Sequence, residues 1–361
     1  MKKQIIILFS IVMAMVIGFA GCGGDSGDNS QAPPSQTGST SDPGSGSGAQ
    51  NDGPAREIKF AYVQPEASFY GDTYGYFGKC IEEETGGTLK VEMYPSETLA
   101  SQVEIYDAIA MGNIDMGHVY STFISPTISD LIPFEVPGIY PADNYEILNN
   151  YTFEIVDSIF QDYNTKWVAL SYPDTCSFST KPRMVRSPED LKGLSIRTAG
   201  KYVSEAMARW GGNPATIPIG DVMTSLERGT IDSTFQSWMM ADSYKFYEVG
   251  KNETFTSMQN AYYGVVMNLD VWNSLTTAEQ EGIMRAADRF REFSQVRYES
   301  VFDAFIESIH SIGGDYVVLT PEENDVFISE SLKLMDEVEG LLSPKGLALA
   351  EALANMREEL T

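Results

Sequence analysis

The chain has 361 residues, with 24 lysines and arginines against 51 aspartates and glutamates and a formal net charge of −27. That balance excludes nucleic-acid binding, which needs clustered cations for the phosphates; two distant histidines, His118 and His310, and three cysteines leave little for His-based catalysis, a metal site or a disulfide framework. The length and a 43% hydrophobic content suit one large or two ordinary domains, and what survives is an acidic, soluble, non-catalytic protein without cofactor or metal, unless carboxylates do the chemistry.

Residues 1–22 open with Met-Lys-Lys, continue with an uncharged apolar run from Ile5 to Ala20, and close on Gly21-Cys22. A basic start and a short apolar stretch ending in small residues predict a secretory signal rather than a spanning helix. The Phe-Ala-Gly-Cys ending resembles a bacterial lipobox, with Phe19 where leucine is usual; it implies cleavage before Cys22 and lipidation of that cysteine. Residues 23–56 are dominated by Gly, Ser, Pro, Asp, Asn and Gln. They predict a disordered tether spanning roughly 30 Å. The membrane is therefore met only through the anchor, on the outer side of it. Loss of Lys2 and Lys3 leaves 22 basic residues against 51 acidic ones, a mature charge of −29.

From Ile58 strands and helices alternate. Ile58–Val63 predicts a strand, Phe69–Glu84 a helix stopped at Gly86-Gly87, Leu89–Tyr94 a strand, Ser101–Met111 a helix ending at Gly112, and Ile114–Tyr120 a strand. Alternation at this spacing predicts an α/β fold with parallel sheets. The segment Ile105–Asp115, a short helix, a glycine stop, one polar residue and Ile-Asp, recurs as Val222–Asp232. One copy per lobe predicts a two-lobe body. Between the copies, Ser187 and Pro188 start a one-turn helix that Gly193 ends. The strand after it carries Leu194 and Ile196 on one face, Ser195 and Arg197 on the other. Arg197 thus stands at the end of a strand, where ligands of α/β sheets bind. Thr276-x-x-Glu279 is a capping box, and the apolar spacing after it predicts a helix to about Ile312, roughly 54 Å if unbroken. That is long enough to serve both lobes as a spine; the alternative is a break near Ser294–Glu299.

The segments SPEDLKGLSIRTAG and RWGGNPATIPIGDVMTSLERGTIDSTFQSW, with Tyr94-Pro95, Gly112–Asp115, Pro133–Pro137 and the long helix, resemble the extracytoplasmic solute-binding proteins of tripartite ATP-independent periplasmic (TRAP) transporters, C4-dicarboxylate-binding type. The likeness covers about Ile58 to Ile312. It implies a periplasmic-binding-protein clamshell, type II-like, with a hinge-spanning helix. The lobes expected from it are 57–176 with 262–300, and 177–261 with 301–361. It implies delivery of an organic acid to membrane permease subunits, and dimers occur in such a family. Arg197 would pair with the substrate carboxylate, since a guanidinium fork matches a carboxylate bidentately. Polar contact is expected at Gln236 with Trp238 beside it; in the first lobe at Tyr120 and Phe123; and in the loop around Thr175. Sugar-acid binders carry charges near these places, where this chain has Tyr, Phe and Thr, and Ser233 stands where the family often has Gly. Together with Phe69, Tyr70, Tyr262 and Tyr263 near the expected mouth, this predicts a carboxylate on an apolar or aromatic body.

Three alternatives stand beside this one: a receptor presenting its ligand to a membrane sensor, an ABC-type binding protein, and a secreted hydrolase using Glu104, Asp115, Asp221 or Asp232. The equivalence of Asp115 and Asp232 in the repeat points instead to a shared structural job. Cys80 and Cys176 are either bridged or buried as free thiols.

Overall fold

In Arg56–Ala61 the apolar Ile58 and Phe60 are buried while Glu57 and Lys59 are exposed, the period of a strand with one covered face. It is the first of eleven strands in the computed structural model, which describes residues 54–140, 145–172 and 174–360. The signal segment, Cys22 and nearly all of the expected tether lie outside the described residues. The strands are β1 (Arg56–Ala61), β2 (Leu89–Tyr94), β3 (Met116–Tyr120), β4 (Thr165–Leu170), β5 (Asp174–Thr180), β6 (Ser195–Thr198), β7 (Asn213–Thr216), β8 (Ser233–Ser237), β9 (Asn252–Ala261), β10 (Tyr263–Asn268) and β11 (Asp315–Val318). They form a five-stranded sheet ordered β2-β1-β3-β10-β4 and a six-stranded sheet ordered β11-β9-β5-β8-β6-β7. Read outward from β3 and β8, the two sheets repeat one plan, and each sheet founds a lobe.

The sheets are mixed rather than parallel. β10 runs antiparallel to β3 and β4, and β5 antiparallel to β8 and β9. The reason is connectivity. β4 ends at Leu170 and β5 begins at Asp174 in the other sheet; β9 ends at Ala261 and β10 begins at Tyr263 back in the first. A strand that enters from the opposite lobe runs against its new neighbours. These two crossings form the hinge.

The helices are α1 (Phe69–Glu84), α2 (Ile105–Ala110), α3 (Ser121–Ile124), α4 (Tyr145–Gln161), α5 (Lys201–Arg209), α6 (Val222–Arg228), α7 (Trp238–Ser243), α8 (Leu269–Asn273), α9 (Thr277–Ser311), α10 (Pro321–Ser331), α11 (Lys333–Val338) and α12 (Pro344–Leu360). α2 starts later than the sequence pattern suggests, because the preceding turn is stitched by Ser101 Oγ donating to the Glu104 carboxylate at 2.6 Å. Gly112 and Gly229, at φ 76° and 72°, end the two copies of the repeat in the left-handed conformation that glycine adopts freely. Asp115 then accepts from Lys59 N–H on β1 at 2.8 Å, and Asp232 from Ser195 N–H on β6 at 2.9 Å. Each carboxylate clasps its turn to the adjacent strand, a structural job that occupies two of the four candidate acids of the hydrolase alternative.

α9 is one unbroken helix of 35 residues with the expected Thr276–Glu279 capping box, about 52 Å long. Its first half lies on α1: Phe290 meets Phe77 at 5.1 Å and Phe293 stacks on Tyr76 at 4.2 Å. Arg285 and Arg289 pair there with Glu84, and Arg297 with Asp72. Its second half belongs to the other lobe, where Phe302 and Phe305 each lie 5.3 Å from Trp238. The spine therefore serves both lobes.

The expected lobe boundaries need one correction at the C-terminus. α12 does not stay with the second lobe that 301–361 was assigned to. It packs on α4 of the first lobe, where Lys345 Nζ reaches Asp162 at 2.5 Å and Tyr151 donates to Glu359. Its buried Leu349, Leu353 and Met356 recur at helical spacing, and nothing in that pattern tells which lobe they cover. β5 likewise places 174–176 in the second sheet.

The close pairing of β10 with β4 depends on Gly264. A Cβ there would stand 2.3 Å from Ala169 O and from the Trp167 ring. Gly264→Ala is expected to destabilise the protein by about 3 kcal/mol, since neither a ladder carbonyl nor a fully buried indole has room to yield. The midpoint of urea unfolding reads this directly.

Candidate functional site: a buried arginine between two lobes

β6 is short and pinned on both sides: Arg197 lies opposite Ala215 on β7 and Thr234 on β8. That register drives the Arg197 side chain inward, and the residue is only 2% exposed. Its Nε donates to Ile217 O at 3.1 Å and one terminal nitrogen donates to Gln236 Oε1 at 3.3 Å. Among the described residues, no carboxylate lies within 4 Å of the guanidinium. Burial lowers its pKa to about 10, while the nearby Tyr120, Tyr244 and Cys176 oppose that shift. At neutral pH Arg197 is therefore a cation removed from water without a protein counter-charge. Such a group is costly to fold around.

Arg197 lines a small cavity of about 60 Å³, modest beside the ~300–1,000 Å³ of drug-sized pockets. Tyr120, Phe123 and Gln102 line it from the first lobe, and Gln236, Gln259 and Cys176 from the second. Tyr120 accepts a hydrogen bond from Gln64, and burial raises its hydroxyl pKa well above the usual 10. An outer cleft of about 710 Å³ shares Thr122, Phe123 and Ala199 with this cavity and runs on to Lys201 and Glu205. At the junction, Glu135 from the first lobe presses on the loop that follows Arg197. Its carboxylate accepts from Ser125 Oγ and from Tyr202 N–H at the start of α5. A Cβ on Gly200 would come within 2.7 Å of Glu135 Oε2, so the lobes meet tightly here.

Of the nine positions expected from sequence, the cavity brings together Arg197, Gln236, Tyr120 and Phe123. The other five stand elsewhere. Trp238 turns away because the chain leaves its strand at Ser237, whose Oγ accepts from Met240 N–H to cap α7. The indole then points to α9, with Nε1 donating to Tyr298 Oη at 2.8 Å. Thr175 also bonds Tyr298, and by strand alternation its neighbour Cys176 is the one that meets the cavity. Tyr70 is fully buried in the hinge, its hydroxyl 3.4 Å from Asp174. Phe69 packs edge-on against it at 5.5 Å. Tyr262 stacks between Phe134 and Trp167 in the first lobe. Tyr70, Tyr74, Tyr120 and Tyr263 surround His118, which burial holds neutral.

Gln102, Cys176, Met240 and Gln259 line the cavity without having been expected there from sequence. Cys176 was one residue from an expected position. Gln259, inside β9 with no motif around it, carried no signal at all. Cys80 and Cys176 are free and buried, in different lobes.

Two lobes on a double strand crossing, a helical spine and a buried cation facing the cleft define a solute-binding clamshell. Residues 60–340 match the family described as bacterial extracellular solute-binding protein, family 7; the chain belongs to it and is an extracytoplasmic solute-binding protein of the TRAP-transporter type. It is 23% identical over 307 residues to the 2,3-diketo-L-gulonate-binding periplasmic protein of Escherichia coli, covering 79% of this chain and 93% of that one. It is 23% identical over 301 residues to the C4-dicarboxylate-binding periplasmic protein of Rhodobacter capsulatus, covering 82% and 90%. Its fold matches the Bordetella pertussis solute receptor DctP7, which binds pyroglutamic acid, with a TM-score of 0.75 at 17% identity, over 83% of this chain and 99% of that one.

Proposed function

We propose that this protein captures a small organic acid between its lobes and hands it to TRAP permease subunits, anchored outside the cell membrane by lipid on Cys22 and spaced from it by residues 23–56. The Arg197 guanidinium and the Gln236 amide grip the carboxylate, while Phe123, Tyr120 and Phe235 enclose an apolar body. The observation that carries this reading is the uncompensated burial of Arg197. A fold gains nothing by hiding an unpaired cation, whereas a ligand carboxylate converts the same cost into affinity and specificity. Closure follows by population shift, because a ligand touching both lobes favours the state in which both touch it. The carboxylates of Asp115 and Asp232 are engaged in clasping the Ile-Asp turns to the adjacent strands.

A thermal-shift screen tests the reading. Small carboxylic acids are expected to raise the melting temperature, and the matching primary amides and alcohols to leave it unchanged. Stabilisation by uncharged analogues equal to that by the acids contradicts it.

A further inference from the structure

Two more polar side chains of the cavity lining have fixed chemistry. Gln236 and Gln259 both line it and are 6% and 5% exposed. Gln236 Oε1 accepts from Arg197, which can only donate, so its other amide atom, Nε2, is a donor. Gln259 Nε2 donates to the carbonyls of Phe134 and Asn260, at 3.2 Å and 2.9 Å, so its Oε1 is an acceptor. In both cases the hydrogen-bond partners fix the orientation of the amide. Gln236 Nε2 and Gln259 Oε1 have no hydrogen-bond partner among the described residues.

The lining thus holds unpaired groups of two fixed kinds. Arg197 and Gln236 Nε2 are donors beside each other. Gln259 Oε1 is an acceptor that cannot donate. The rest of the lining combines the apolar Phe123, Val203, Ile219, Phe235 and Met240 with the neutral polar side chains of Gln102, Tyr120, Thr122 and Ser237. A buried acceptor left unpaired weakens binding by about fivefold to a hundredfold. An ionised carboxylate has no proton to give it, and neither has an alkyl chain. A hydroxyl or an amide N–H has one.

We propose that the site is built for a small monocarboxylate bearing one hydrogen-bond donor, a hydroxy acid or an amide-bearing acid, with the donor read by Gln259 Oε1. This rests on the carboxylate reading above and deepens it. A C4 dicarboxylate sets a second negative charge near an acceptor with no second cation in the lining. A polyhydroxylated sugar acid sets several hydroxyls against a wall in which Phe123, Val203, Ile219, Phe235 and Met240 offer them no partner. Both are selected against.

The test is isothermal titration of the wild type with butyrate, 2-, 3- and 4-hydroxybutyrate, pyroglutamate and succinate. The hydroxyl position along the chain is scanned so that one member reaches Gln259. The best hydroxylated or amide acid is expected to bind at least about tenfold more tightly than butyrate and succinate. In Gln259→Met, which conserves volume, that advantage, read as the ratio of each acid's affinity to that of butyrate within the variant, is expected to shrink to about twofold or less. Butyrate or succinate binding as tightly as every donor-bearing acid overturns the proposal from the wild-type series alone, whether or not the variant folds. Acids that bind without such preference overturn this inference only. Failure of every acid to bind overturns the carboxylate reading, and this one with it.

Discussion

Arg197→Met is expected to abolish carboxylate binding while leaving the ligand-free protein at least as stable as the wild type. The two halves of that result have one cause. Arg197 is 2% exposed and still charged at neutral pH, with its pKa held near 10 by burial. Desolvating a charge costs several kcal/mol unless a partner repays it, and the partners present are a carbonyl and an amide, both neutral. Methionine fills much of the same volume without that cost. The lost hydrogen bonds to Ile217 and Gln236 offset part of the gain, so the melting temperature should hold or rise by a few degrees. Binding has no such compensation. Removing one partner of a buried ion pair costs about 3–5 kcal/mol, roughly a hundredfold to several thousandfold in affinity. Calorimetric scans with and without ligand separate the halves. A variant that melts well below the wild type assigns Arg197 to the scaffold instead.

The second large effect concerns pH. Burial raises three carboxyl groups to about 8: Asp174 at the hinge, Glu135 at the lobe junction and Glu253 within the second sheet. Their ordinary values are 3.8 and 4.5. Between about 4 and 8, then, the native protein holds protons that the unfolded chain has released, and stability falls as pH rises. The contribution is fully present below the unfolded values and is lost as pH climbs through about 8. The melting temperature should therefore decline by several degrees or more from pH 6 to pH 9. Glu253→Gln keeps the acceptor for Ser177 and removes the charge, so it should flatten that slope and melt higher than the wild type at pH 9. A melting temperature that is level or rises over this range contradicts the assignment.

Much of the fold was legible because its signals are local. Helix 69–84 carries helical spacing up to a glycine pair and strand 89–94 alternates strictly, and the observed limits are the same. The repeat at Asp115 and Asp232 was visible because each copy solves the same backbone problem. Arg197 was readable for a related reason: it sits on a strand, where alternation dictates direction, whereas Gln236 was expected only from the family resemblance. Trp238 fails that logic, since the strand ends one residue earlier and a helical turn swings the indole to α9. Tyr70, Tyr262 and Thr175 are polar-tipped residues equally suited to a pocket or a hinge, and only the packing of α9, Phe134 and Trp167 decides between them. Gln259 was illegible. Its importance comes from a carbonyl at Phe134, far away in the chain, that fixes its amide. The antiparallel crossings and the docking of α12 on α4 are likewise long-range choices that a periodic pattern does not encode.

The most direct measurement is the crystal structure of the complex with the acid that binds most tightly. The account predicts one ligand carboxylate within hydrogen-bond distance of both the Arg197 guanidinium and Gln236 Nε2, between lobes closed as Glu135 and Gly200 are here. A ligand seated in the outer cleft without touching Arg197, or one that turns an uncharged group toward it, contradicts the account.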